Sequence, residues 1–172
     1  MKIRRATEAD AEAVRAVAET GSAEKSGERG FLVHVQTAAE YAVRSRVASH
    51  FYVAEEDAGI VGFLLAADAR SLRLMREGMV GEDDVIDHVL ERGGERMVYL
   101  DQIAVRTDRQ RRRLGNQLFR QLVRDTAGST LTGAILHEPI RNEASIRFFA
   151  REGFRCTGEV READLIWGIY ER

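Results

Sequence analysis

Five arginines fall within the eight residues from Arg106 to Arg113, between an apolar run at Val98–Val105 and a periodic apolar segment that opens at Leu114-Gly115. Strand, basic turn and helix start, in that order, can hold phosphates. The first N–H groups of a helix have no internal partner and sit at the positive end of its dipole. Arginine adds forked donors that match phosphate oxygens. The same residues also suit a solvated basic turn before an ordinary amphipathic helix, so the run alone does not decide.

Further along, residues 142–154 read NEASIRFFAREGF. Asn142 can cap a helix there and Gly153 can end it in the left-handed region. Between positions 77 and 95 stand Glu77, Glu82, Asp83, Asp84, Asp87, Glu91 and Glu95 against the single Arg92. Such an insert steers cations toward a site, or is a solvated helix face. Tyr41, Tyr52 and Trp167 are candidates for a substrate slot, although such residues more often belong to a core or an interface. Cys156, on an expected strand, reads as a small buried side chain rather than a nucleophile.

Other elements must position these groups. Lys2–Ala6 alternates as a short strand. Thr7 and Asp10 approximate a capping box before Val14, Val17 and Ala18. Residues 21–30 form a polar loop, and a second helix covers about Thr37 to Val47. His50–Glu55 and Ile60–Ala67 form a hairpin around a turn at Glu56-Asp57-Ala58-Gly59. Residues 68–96 form a long polar insert with a helix near 82–92. Val98–Val105 is the central strand, and Leu114, Leu118, Leu122 and Val123 give the next helix its apolar face. Leu131–His137 is a strand. The 142–151 helix turns Ile146 and Phe148 or Phe149 inward. Phe154–Val160 and Leu165–Tyr170 close the chain as an antiparallel pair.

The 172 residues favour one domain, 1–172, large enough for a core of its own. With 44% apolar and 31% charged residues and a net charge of −2, the chain is no generic nucleic-acid binder. One cysteine excludes an intrachain disulfide and fits a reducing compartment. No apolar run approaches a membrane span, and MKIRRATEAD lacks the apolar centre of a signal peptide. The expectation is a cytoplasmic protein with neither membrane nor nucleic-acid partners and no metal.

Two segments together resemble the GNAT acetyltransferases. Gln110-Arg111-Arg112-Arg113-Leu114-Gly115 is similar to the family's phosphate turn, Gln/Arg-x-x-Gly-x-Gly/Ala, with Arg113 in place of the first glycine. In the second, Asn142, Ser145, Phe148, Arg151, Gly153 and Phe154 match the family's Asn-x-x-Ala-x-x-Leu/Phe-Tyr-x-Lys-x-Gly-Phe. Ile3-Arg4-Arg5-Ala6-Thr7 with Asp10, and Val61-Gly62-Phe63, are weaker matches.

The resemblance implies an α/β (α+β) fold with a mixed, mostly antiparallel sheet of about seven strands flanked by about four helices. A β-bulge would splay the central strand. It implies acetyl-CoA as cosubstrate and N-acetyl transfer to a primary amine by direct attack in a ternary complex. The N–H groups of Ile103 and Val105, with Ala104 between them, would pair with pantetheine, and that of Ile103 would polarise the thioester carbonyl. Gln110, Arg111, Arg112, Arg113, Leu114, Gly115 and Asn116 would hold the pyrophosphate. Asn142, Phe148 and Phe149 would flank the pantetheine end.

Phe149 stands where the family has its usual tyrosine general acid, and phenylalanine donates no proton. Ser145, Tyr170 or water would then protonate the departing thiolate. The alternative is an acyl-CoA-binding module with little or no turnover. For the base, Asp101 is first choice, two residues before Ile103 and on the same face by period-2 alternation. Glu138 and His137 are second. The closing strand pair suggests a homodimer.

Overall fold

A computed structural model describes residues 1–22, 30–109 and 113–172. Seven strands, β1 (Lys2–Arg5), β2 (His50–Glu56), β3 (Gly59–Asp68), β4 (Met97–Val105), β5 (Thr130–Glu138), β6 (Arg155–Glu162) and β7 (Leu165–Glu171), lie in the order β1-β2-β3-β4-β5-β7-β6. All neighbours are antiparallel except β4 and β5. The described helices are α1 (Ala11–Thr20), α2 (Ala38–Val47), α3 (Ala69–Glu77), α4 (Asp84–Arg92), α5 (Leu114–Asp125) and α6 (Glu143–Arg151). None of them is long and apolar enough to cross a membrane.

This is the expected mixed sheet, with two helices in 69–92 where the sequence predicts one. The Asp68 carboxylate caps α3 by accepting the Ser71 N–H at 2.7 Å. Ala69, Leu72 and Met75 are buried at helical spacing. Arg70, Arg73, Arg76 and Glu77 fill the other positions and make that stretch read as polar.

The sheet carries helices on both faces. Leu114, Leu118, Phe119 and Leu122 of α5 and Phe149 of α6 pack on Leu64, Val98, Leu100, Leu131 and Ile135. Leu118 and Leu122 are fully buried, each contributing about 2 kcal/mol from apolar burial. On the other face Val14, Val17 and Tyr41 cover Phe51, Val53, Phe63 and Leu65. Leu72, Met75, Val85, Ile86 and Val89 cover Met97, Tyr99 and Ile169.

The site is made where this sheet fails to close. β4 pairs with β5 only along Met97–Leu100 against Thr130–Gly133, after which the pairing stops. On the opposite side of β4, Leu65 faces Gln102 and Ala66 faces Leu100, leaving Asp101 as a β-bulge. Bulge and fork therefore begin at the same place. The Arg106 N–H donates to the Val61 carbonyl at 2.9 Å. Alternation back along the strand sends the N–H groups of Ala104 and Gln102 to β3, and those of Val105 and Ile103 into the fork.

Candidate active site

A cavity of about 1050 Å³ fills the fork. Ile103, Ala104 and Val105 form one wall, continuing to Arg113, Leu114, Gly115 and Asn116 at the start of α5. α6 supplies Ser145, Arg147, Phe148, Phe149 and Arg151, with Asn142 at its cap. On the other face of the sheet the cavity meets Arg44 of α2, Tyr99 and Asp101 of β4, Asp83 before α4, and Glu162 and Trp167 of the closing strands. One cavity thus joins an arginine-lined end and a carboxylate-lined end.

At the basic end Arg113 occupies the left-handed region, φ 58° and ψ 23°, as the residue before α5. The turn demands that conformation, which explains why a glycine suits the position. A non-glycine residue there costs roughly 1–2 kcal/mol. Arg109 pairs with Glu56 at 3.4 Å, and Arg106 pairs with Asp108 at 2.8 Å. Both therefore have protein partners. Gln110, Arg111 and Arg112, expected at the phosphate turn, lie outside the described residues. Asn116 lines the cavity while its amide donates to Glu152 at 2.6 Å.

Asn142 is a clamp. Its Oδ1 accepts the Ser145 N–H at 3.3 Å and its Nδ2 donates to the Phe31 carbonyl at 2.8 Å. The segment after the polar loop is thereby drawn over α6. A Cβ at Gly30 would stand 3.3 Å from the Ser145 hydroxyl.

Asp101 lies in the cavity, but not on the face of Ile103. The bulge breaks the alternation. Ile103 packs with the α5 cluster, whereas the Asp101 carboxylate meets Arg44 of α2 at 2.6 Å. Burial pushes this carboxyl above its ordinary value, and the Arg44 charge works against that shift. Next to it, Gln102 is buried and accepts from the Tyr41 hydroxyl at 2.9 Å. Its amide donates to the His34 carbonyl at 3.0 Å, pinning the loop that covers this end.

Several expected groups lie elsewhere. Glu138 is exposed and does not line the cavity. His137 is also outside it. A second bulge, between Leu136 and Glu138, turns its ring over Gly168. There its nitrogens meet Glu159 at 2.8 Å and the Tyr170 hydroxyl at 3.0 Å. Tyr170 sits behind Phe149, edge-on at 5.7 Å, with its hydroxyl committed to His137. Tyr41 and Tyr52 are core residues, and only Trp167 of the three slot candidates reaches the cavity. Cys156 is exposed rather than buried, because β6 is the outer strand of the sheet.

Arg44, Tyr99, Gln102, His34, Glu162 and Arg147 were not singled out by the sequence. Arg147 carried a signal, four residues before Arg151 and hence on the same helix face. The others come from separate elements and carry none.

The sequence profile of the acetyltransferase (GNAT) family matches residues 19–154. Among solved structures, Ard1 from Thermoplasma volcanium is 18% identical, with TM-score 0.69 over 99% of this chain and 95% of that one. A ribosomal-protein-alanine N-acetyltransferase from Brucella melitensis is 18% identical, with TM-score 0.67 over 100% and 99%. The yncA protein of Salmonella typhimurium, solved with its cofactor acetyl-CoA, is 19% identical, with TM-score 0.63 over 100% and 92%. No curated protein sequence matches the chain.

Proposed function

The chain belongs to the acetyltransferase (GNAT) family, and from that premise we propose that it moves an acetyl group from acetyl-CoA to a primary amine by direct attack in a ternary complex. The observation that carries this is the fork. Two strand N–H groups open into a cavity that also reaches the N-terminus of α5. An extended thioester arm with phosphates at one end has the shape and charge that this arrangement satisfies.

Acetyl-CoA supplies the activated acetyl group. The N–H groups of Ile103 and Val105 would pair with the amide groups of its arm, completing the strand edge that β5 leaves open. The α5 N-terminus at Leu114, Gly115 and Asn116, with Arg113, would take the pyrophosphate. Arg147 and Arg151 line the same end. Phe148 and Phe149 would flank the thiol end.

The acceptor nitrogen attacks the thioester carbon with its lone pair. A C–N bond forms while the carbonyl pair moves onto oxygen, where the Ile103 N–H stabilises it. That pair returns, the C–S bond breaks, and sulfur leaves with its electrons. The surplus amine proton passes to Asp101, directly or through water. Burial raises this carboxyl and so strengthens it as a base, while the Arg44 charge at 2.6 Å opposes part of that rise.

Phe149, buried against Phe154 at 4.3 Å, offers no proton to the leaving sulfur. A thiol ionises near pH 8.5, so the thiolate is a tolerable leaving group that Ser145 or water can protonate. The rival reading, a module that binds acyl-CoA without turning it over, rests on the same Phe149. Release of coenzyme A from acetyl-CoA across a mixed amine panel, with binding followed on the same sample, separates the two. Binding with release is expected. Binding without release across the panel favours the module, and absence of binding overturns both.

A further inference from the structure

The acceptor end of the cavity has more negative charge than its own residues neutralise. Asp101 has Arg44. Among the described residues, Glu82, Asp83 and Glu162 form no ion pair, although all three line the cavity. Asp83 spends one carboxylate oxygen on the Ile86 N–H at 2.8 Å, as the cap of α4, and keeps its charge. Burial, then the neighbouring Asp83, push the Glu162 carboxyl up against the Trp167 and Asp84 groups that favour its charge.

A second observation points to a ligand. Tyr99 is only 5% exposed, lines the cavity, and its hydroxyl makes no hydrogen bond among the described residues. Burial, then the charges of Asp101, Asp83 and Glu162, hold its phenol well above the ordinary value. It therefore stays a neutral hydroxyl whose oxygen can accept from a cation. Trp167, stacked on His34 at 6.3 Å, adds an aromatic wall. Met79, Val85 and Ile86 add methylene-sized contacts to this end, which His34, Gln36 and Arg44 also line.

We propose that the acceptor is a small aliphatic diamine, one nitrogen attacking the thioester while the other, protonated, is held by Asp83, Glu162 and the Tyr99 hydroxyl. Resting on the acetyl-transfer reading above, this assigns its substrate class. The apolar walls suit the chain between the nitrogens. The carboxylates repel an amino acid, whose own carboxylate would enter with it. In the reaction only the attacking nitrogen loses a proton. The distal ammonium enters and leaves charged.

The test compares 1,4-diaminobutane, 1-aminobutane and 4-aminobutanoate as acceptors on the same full-length protein. The expected order of kcat/KM puts the diamine at least about tenfold above the monoamine, the scale of one charge-assisted contact, and the amino acid below both. Glu162→Gln is expected to narrow the diamine-to-monoamine ratio by about tenfold. Equal use of diamine and monoamine, or an unchanged ratio in the variant, overturns the proposal. So does better turnover with a peptide α-amine. Calorimetric binding of 1,4-diaminobutane with coenzyme A present needs no turnover. Weaker binding in Asp83→Asn and Glu162→Gln supports the site, and no binding to the native protein sinks it. Release with 1-aminobutane alone leaves acetyl transfer standing and removes only the diamine.

Discussion

Asp101 and Asp10 are both partnered by arginine, and the partnerships have opposite consequences. At Asp101 burial outweighs Arg44, so the carboxyl titrates above the usual range. If it accepts the amine proton, it must be ionised to act. The acceptor amine adds its own pH dependence, common to native protein and variant. The ratio of native to Asp101→Asn kcat/KM cancels it. That ratio is expected to reach about 100 at high pH, the low end for general-base assistance, and to fall toward one as pH drops through the Asp101 pKa. A ratio flat in pH removes the role. At Asp10 the balance is reversed. Arg4 holds both carboxylate oxygens at 2.7 and 2.8 Å, and burial opposes less than Arg4 and the Thr7 groups favour the charge. Its pKa falls from 3.8 to about 2, which stabilises the fold by about 2 kcal/mol above the unfolded value and is lost as pH falls through the folded one. Urea titration of Asp10→Asn should show a deficit of that size at pH 7 that shrinks between pH 3.8 and 2.

Among elements, the fork at β4 and β5 depends on one small residue. A Cβ at Gly133 would stand 2.8 Å from two Phe149 ring carbons and 3.3 Å from the Leu100 carbonyl. Phe149 is stacked on Phe154 at 4.3 Å, so the ring cannot shift without giving up that contact. Gly133→Ala is expected to destabilise by about 1–3 kcal/mol through overpacking. Gly158→Ala, with nothing within 4 Å of its added carbon, should cost little, so equal effects in thermal melts would refute the account. Gly133 was silent in the sequence because its neighbours are far along the chain. What the sequence disclosed was local. Thr37, Asn142 and Gly153 cap helices through neighbours within a few residues, and the hairpin from His50 to Asp68 follows β-branched and aromatic content and one turn. The resemblance implied a bulge on the central strand, but its position at Asp101 escaped because alternation is the very rule it breaks. The Tyr99, Asp83 and Glu162 group escaped because three elements bring it together. At the expected phosphate turn Arg113 takes the left-handed backbone that suits the glycine it replaces, while Gln110, Arg111 and Arg112 lie outside the described residues.

At the scale of the molecule, the net charge of −2 conceals a division that matters more. Arg113, Arg147 and Arg151 line one end of the cavity, and Asp83, Asp101 and Glu162 line the other. Two ligands of opposite sign can then approach the fork from opposite faces of the sheet, each attracted to its own end and repelled from the other. Screening must weaken both attractions. The Debye length is about 10 Å at 0.1 M salt and about 3 Å at 1 M, so charges that act across the cavity mouth are felt in dilute buffer and hidden in concentrated salt. The dissociation constant of acetyl-CoA should therefore rise steadily with sodium chloride. Arg147→Ala should weaken binding at low salt and flatten that rise, because one of the screened charges is gone. A buried, structural effect of the same substitution would shift affinity equally at every salt concentration. Parallel lines for native protein and variant in a plot of log Kd against log salt would thus deny Arg147 a part in phosphate attraction, and converging lines would assign it one.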